Sequence, residues 1–472
     1  MRSAFFGLEI AKRALFTHQH SLYVTGHNIA NANTEGYSRQ RGIHAATYPQ
    51  FSYSLNRPTF AGITGTGVEM QEIRRMRDQF IDRDFRNENQ IFGEWETKRD
   101  ILQKIEYIFN EPSDSGIRSV LDEFWNSFQE LSKNPENPTV RAVVHQRGIA
   151  LAETINHTYT QFKELQMQVN EAIDVKVKEI NSLSLQIADL NDQILKTEAT
   201  GDNANDLRDR RDFLVDQLSK IVKLYVDEDN NGMYTISVTG AALVTGKYYN
   251  PIEFDVTDIT SVITFTDLGY NLVTDGGELK GLLEMRDNAL PYYMKGLEDI
   301  AQALMDEINP IHSTGFGLGD ASVDPTLTGN DFFISGSGNN LIELNPALNV
   351  LERIAAASSN NTPGDGSNAL LIAQLKQKKI ATLANGTFDD YTKSLISALG
   401  VDTQEAIRMT DNQQLLLTQI ENRRESVSGV SLDEEMSNMI KFQHGYNSAA
   451  RMVTAIDEML EVVVNKMGIV GR

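Results

Sequence analysis

Apolar residues spaced alternately four and three positions apart open the chain. Ala4, Leu8, Ala11, Leu15, His18, Leu22, Thr25, Ile29 and Ala32 form a heptad seam, with large side chains at one seam position and mostly small ones at the other. The same rhythm closes the chain through Leu432, Met436, Met439, Gln443, Tyr446, Ala450, Val453, Asp457, Leu460, Val464 and Met467. Ala449, Met452, Ile456, Met459 and Val463 widen that second face. Two seams at opposite ends predict that the N- and C-terminal helices pair as a coiled coil. Either helix alone is marginal, because fixing its backbone competes with the few side chains it buries. The ends are therefore expected to be mobile in a free monomer and to order on assembly into a helical or ring-like stack of copies.

Between the seams the period changes several times. Residues 42–71 carry Pro49, Pro58, Gly62, Gly65 and Gly67 among Tyr48, Phe51, Tyr53 and Phe60, which predicts extended or hairpin structure. Helical spacing returns over 73–110 with Met76, Phe80, Phe85, Ile91 and Trp95, and Pro112 is its stop. A helix over 116–131 precedes the breaker Pro135 to Pro138, and a long helix over 140–197 follows. Leu207, Leu214, Leu218, Ile221 and Tyr225 supply a returning face, so this stretch reads as a helical hairpin. From 225 to 275 the period is two, the signal of a small β domain. Leu290, Met294, Leu297, Ala301, Leu304, Ile308 and Ile311 restore the helix. Glycine, asparagine and serine then dominate 313–385, with strands expected at 331–334 and 341–344, before helix resumes near Phe388 through Ala406, Met409, Gln413, Leu416 and Ile420. The expected fold is mainly α with a β-rich insertion. Residues 1–71 and 426–472 would form a terminal assembly domain, 72–225, 276–312 and 386–425 an α-helical rod, and 226–275 with 313–385 a small outward β domain.

One stretch adds identity to this pattern. Asn28-Ile29-Ala30-Asn31, then Asn33-Thr34-Glu35-Gly36-Tyr37-Ser38-Arg39-Gln40, stops the first helix with residues whose side chains compete for backbone hydrogen bonds. It resembles the N-terminal signature of the bacterial flagellar rod, hook and hook-associated proteins, and its Tyr37 to Gln40 ending is most like the hook-associated protein 1, or FlgK, type. The C-terminal Val430 to Glu435 run, followed by Phe442, Gln443, Tyr446, Ala449, Ala450 and Arg451, is similar to the matching signature at the other end. Asn205 to Asp212 and Gly276 to Leu282 also resemble this family. From its residues alone, the charged 205–212 run reads as an exposed helix face supported by weak i,i+4 pairs.

The resemblance implies a structural component of the hook–filament junction, assembling at the distal end of the hook and needed for filament attachment. It implies other copies of the chain, the hook protein, hook-associated protein 3 and a flagellar export chaperone as partners. It also implies an extracellular place in the flagellum, reached through the type III apparatus without a cleaved signal peptide. The residues carried into the assembly interface are Leu8, Leu15, Leu22, Asn28, Ile29, Asn31, Asn33, Gly36, Tyr37, Arg39, Tyr446, Ala450, Val453, Ile456, Leu460 and Val463. Met452, Ile456, Met459 and Leu460 are the candidates for chaperone binding. The alternatives are another axial protein of the distal rod or hook, or a secreted hydrolase with coiled-coil arms.

Composition narrows the classes further. A net charge of −22 disfavours nucleic acid as a partner, since phosphate contacts need a basic footprint. No apolar run approaches the ~18 residues that span a bilayer, and Glu9, Lys12 and Arg13 interrupt the short apolar start expected of a secretory signal. The chain has no cysteine, which removes disulfides and thiolate chemistry. Asp227 to Gly232 copies half of an EF-hand loop, but Val238 stands where the closing glutamate belongs, so a hairpin turn is expected. Gly240 to Lys247 departs from P-loop spacing and Gly315 to Gly319 from Rossmann spacing. His18, His20 and His27 lack the i,i+4 spacing of helical zinc ligands. The sequence therefore predicts no catalytic residue, cofactor or metal, and no enzyme.

Overall fold

The computed structural model describes residues 5–48, 65–109, 116–257, 260–267 and 269–466. The expected excursion through Pro49, Phe51, Tyr53, Pro58, Phe60 and Gly62, the stop at Pro112, and seam residues Ala4 and Met467 lie outside them. Among the described residues the elements run α1 (Phe5–Ala30), β1 (Gln40–Ala46), β2 (Val68–Arg75), α2 (Gln79–Phe109), α3 (Ile117–Lys133), α4 (Pro138–Glu198) and α5 (Asn205–Ile221). Next come β3 (Tyr225–Glu228), β4 (Tyr234–Val238), β5 (Ala241–Thr245), β6 (Tyr248–Tyr249), β7 (Ile252–Glu253) and β8 (Thr264–Phe265). The chain continues through α6 (Glu278–Glu284), α7 (Leu290–Thr314), β9 (Phe333–Ser335), β10 (Ile342–Leu344), α8 (Ser367–Gln374), α9 (Phe388–Ser428) and α10 (Leu432–Glu461). The fold is mainly α, with long helices and small antiparallel sheets. Its contacts divide into two units.

The first unit comprises Met1–Gln90, Ile180–Pro251 and Gln414–Arg472. In it α1 and α10 pair antiparallel. Gly7 lies against Ile456, the His18 ring lies against Gly445, and Asn28 meets Glu435. A Cβ on Gly445 would stand 2.6 Å from the His18 ring, so the glycine sets how closely the helices approach. The β1–β2 hairpin covers another side of α1, with Thr17 Oγ1 donating to the Val68 carbonyl and Ser21 Oγ bonded to His44 Nε2. As a result the fully buried positions of α1 are Ala11, Thr17, Ser21, Val24, Thr25 and Asn28.

Helix α2 starts later than the apolar spacing predicts. Ile73 belongs to β2, paired with Gly42, and Asp78 caps the helix by accepting from the Phe80 amide at 2.9 Å. Tyr225 is likewise an exposed strand residue and not part of the returning helical face. The meander β3-β4-β5-β6 buries Tyr234, Ile236, Val238, Leu243 and Val244. It is fastened to α4 by Asn191, whose amide donates to the carbonyls of Tyr234 and Gly246. The half EF-hand is a hairpin turn: Asp229 accepts from the amides of Asn231 and Met233, and Gly232 takes φ +78°.

The second unit comprises Ile91–Glu179 and Ile252–Gln413. Its core is aromatic, with Phe124 in edge contact with Trp125, Phe128 and Phe332, and Phe109 against Phe162 and Tyr293. Residues 313–385 hold β9 and β10 among short 3-10 turns. Arg141 reaches into this segment fully buried and donates to the carbonyls of Pro135, Leu351 and Ile354. Helices α6 and α7 are joined by a π-helical segment, Met285–Ala289.

Helix α9 contributes to both units and buries Thr403, Ala406, Thr410, Gln413 and Leu417. Leu416, expected on that face, is 43% exposed, because the buried stripe has passed on by one residue at this point.

Candidate functional site

The signature loop after α1 is a fastening point within the first unit. Asn28, 1% exposed, uses its whole amide: Nδ2 donates to the Gln40 carbonyl and to Glu435, while Oδ1 accepts from Tyr37 Oη and the Gln40 amide. Asn31 closes the turn by donating to the His27 carbonyl, and its Oδ1 accepts from Thr34. Gly36 is required twice over. Its φ is +77°, and a Cβ there would meet Phe213 of α5 at 2.8 Å. Tyr37 Oη also bonds His27, and burial, followed by Asp206, Asp209 and Glu435, pushes its ionisation up. Arg39 grips α10 through Glu434 and Glu435, each at 2.7 Å, and its amide donates to the Ser428 carbonyl at the end of α9. Asn33 is exposed.

Beneath the loop lies a buried charge cluster. Arg75 donates to Asp209 and Asp212 at 2.8 and 2.9 Å, Arg77 to Asp82 at 2.6 Å, Arg86 to Asp216 at 2.7 Å, and Arg424 to Asp216 at 2.5 Å. Tyr234 Oη donates to Asp212, and the Ser38 amide donates to Asp209. Burial alone would raise the Asp212 pKa, but Arg77, Arg75 and Arg86 outweigh it and hold the carboxyl well below the usual range. Asp209, which shares Arg75 with Asp212, is pushed up by burial. Arg211, fully buried, stacks over the Tyr234 ring at 3.4 Å and donates to Asn191 and the Gly232 carbonyl.

This corrects the reading of 205–212 as a solvated face. Asn205, Asp209, Arg211, Asp212 and Asp216 are all buried, because arginines from β2, α2 and α9 come to meet the aspartates, while Asn205 bonds Gln40 and the Ile73 carbonyl and Arg211 bonds Asn191. A signal was available in the sequence: Asn205, Asp209, Asp212, Asp216 and Ser219 follow steps of four and three, a polar seam on one helix face.

The other expected interface residues sit on the terminal pair. Leu8, Leu15, Leu22 and Ile29 are half-buried, as are Tyr446, Ala450, Val453, Ile456 and Leu460, while Met452, Met459 and Val463 are exposed. The pair also exposes Phe5, Phe16 and Tyr23 on α1 and Leu432, Met436 and Ile440 on α10.

Chain ends locked to each other and to the helix that carries the aspartates describe a helical structural protein whose two termini work as one piece. Residues 102–333 match the flagellar hook-associated protein FlgK helical domain, and 424–467 match the C-terminal region of the flagellar basal body rod FlgEFG proteins. The chain is 34% identical to flagellar hook-associated protein 1 of Bacillus subtilis, over all of both chains. It is 26% identical to the protein of that name in Escherichia coli, over 98% of this chain and 99% of that one. The solved flagellar hook junction protein FlgK from Burkholderia pseudomallei has the same fold, with a TM-score of 0.65, 16% identity, and coverage of 73% of this chain and all of the other. The chain belongs to the flagellar hook-associated protein 1 family, structural components of the bacterial flagellum at the hook–filament junction. Among the described residues, no helix is long and apolar enough to cross a membrane.

Proposed function

We propose that the α1–α10 pair is the surface through which copies of this chain stack on the distal end of the hook, with hook-associated protein 3 and the filament beyond them. One observation carries the reading. With the two helices paired, Leu432, Met436 and Ile440 near the start of α10, and Met459 and Val463 at and just past its end, remain exposed. Apolar groups exposed in this way call for cover, and neighbouring subunits supply it in an assembly. Residues 1–71 and 426–472 are then the assembly segments, and the clasp at Asn28, Tyr37 and Arg39 sets the angle at which they are presented. Before export, the C-terminal part of α10 needs another cover. A chaperone seated over Met452, Ile456, Met459 and Leu460 would provide it, with the chain leaving through the flagellar apparatus uncleaved.

Leu460→Asp tests the reading. The second unit should keep its fold by circular dichroism and tryptophan fluorescence, while filaments are no longer retained on the hook. A normally motile strain carrying this substitution would sink the proposal.

A further inference from the structure

Beside the clasp, the first unit has an open cleft of about 930 Å³ between α1, the β1–β2 hairpin and α10. Its charged lining is unbalanced. Arg39 is engaged by Glu434 and Glu435, and Arg75 and Arg77 turn into the aspartate cluster. Arg41, Arg74 and Lys441 also line the cleft and make no ion pair among the described residues. Arg41 and Arg74 are direct cross-strand partners in the hairpin, where like charges repel. Lys441 on α10 adds a third positive charge, in a chain whose net charge is −22. Three exposed cations, two of them held face to face, outnumber the two carboxylates of the cleft, which Arg39 already engages, and suit an anionic surface from another copy.

The opposite imbalance stands at the far end of α10. Asp457, Glu458 and Glu461 are exposed in its last turns, make no ion pair among the described residues, and have no basic residue beside them in the last turn. The helix runs on past Glu461 as a π-helical segment, Val462–Lys466. Within one copy these carboxylates cannot reach the cleft: Lys441 and Glu458 are about 25 Å apart along the same helix at about 1.5 Å per residue.

We propose that the acidic end of α10 in one copy docks into the Arg41–Arg74–Lys441 cleft of the next. The contact is head-to-tail, so it propagates from copy to copy into a ring or a helical stack, as a heterologous interface does. It rests on the stacking proposed above and adds the pair of surfaces that sets its direction.

The chain's lack of cysteine makes the test direct. Ser437→Cys, in the cleft lining, and Ala455→Cys, beside the carboxylates, are combined in the full-length protein in cells without the native copy, and isolated flagella are treated with a short bis-maleimide. A ladder of cross-linked multimers, absent from dilute monomer, is expected, because the two sites are too far apart to bridge within one chain. Attached filaments without a ladder would overturn the docking and leave the junction role standing. As a second measurement, Arg74→Glu with Lys441→Glu should cut filament retention several-fold, and adding Glu458→Lys with Glu461→Lys should restore it. Failure of the reversed pair to rescue would also overturn the docking. Filament retention by Leu460→Asp would instead remove the underlying reading, whatever the charge variants do.

Discussion

Removing the Asp212 carboxylate would leave Arg75, Arg77 and Arg86 short of a counter-charge in a buried site and Tyr234 without its acceptor. A buried pair broken from one side costs about 3–5 kcal/mol, far more than an exposed pair. Asp212→Ala should lower the first unit's stability by about that much, and Asp212→Asn by less, since the amide still accepts from Tyr234. Urea unfolding followed by tyrosine circular dichroism checks this, and an unchanged midpoint in Asp212→Ala would show that the cluster contributes nothing. The residues of this site were only partly legible in the sequence. Asn28, Gly36, Tyr37 and Arg39 announced themselves as a motif, and Gly36 did so for a physical reason, its positive φ. Asp209 and Asp212 misled because their partners, Arg75, Arg77 and Arg86, are distant in sequence, and a charged helix read by itself looks solvated.

At the scale of elements, the period of the apolar positions found most of the helices, including the 61-residue α4 and its proline start. It failed where neighbours decide. In α1 the hairpin took the small and polar face, burying Thr17, Ser21 and Asn28 while the leucine seam stayed half-buried. The α1–α10 pair is also unequal along its length. One end is pinned by Asn28 and Arg39 on Glu435, and toward the other Gly7 packs against Ile456. In a dilute monomer, amides of residues 435–446 should therefore exchange more slowly than those of 453–461, since unanchored helix ends open first. Hydrogen exchange on the intact protein reads this directly. Uniform protection along α10 would mean that the pair is complete without neighbours, and ordering on assembly would have to be given up.

For the molecule as a whole, acid is the perturbation that separates the two units, because they contain different buried titratable groups. In the second unit His312 is fully buried, with Nδ1 donating to the Asn330 carbonyl at 2.7 Å and Nε2 accepting from the Ala355 amide at 3.0 Å. Both nitrogens are committed to the neutral ring, and burial, the largest cause, pushes its pKa down to about 4, with Arg141 acting in the same direction. The unfolded chain binds this proton near pH 6.5 and the folded chain only near pH 4. Stability from the neutral ring is complete above pH 6.5 and is lost as the pH falls toward 4, by roughly 3 kcal/mol in all. Trp95 and Trp125 are the chain's two tryptophans and both lie in this unit, so fluorescence follows its unfolding alone. Urea midpoints read from that fluorescence should fall between pH 6.5 and 4. In His312→Gln they should start lower at neutral pH, where the imidazole bonds are lost, and then change less across the same window. Equal slopes in the two proteins would show that His312 is not the group that titrates.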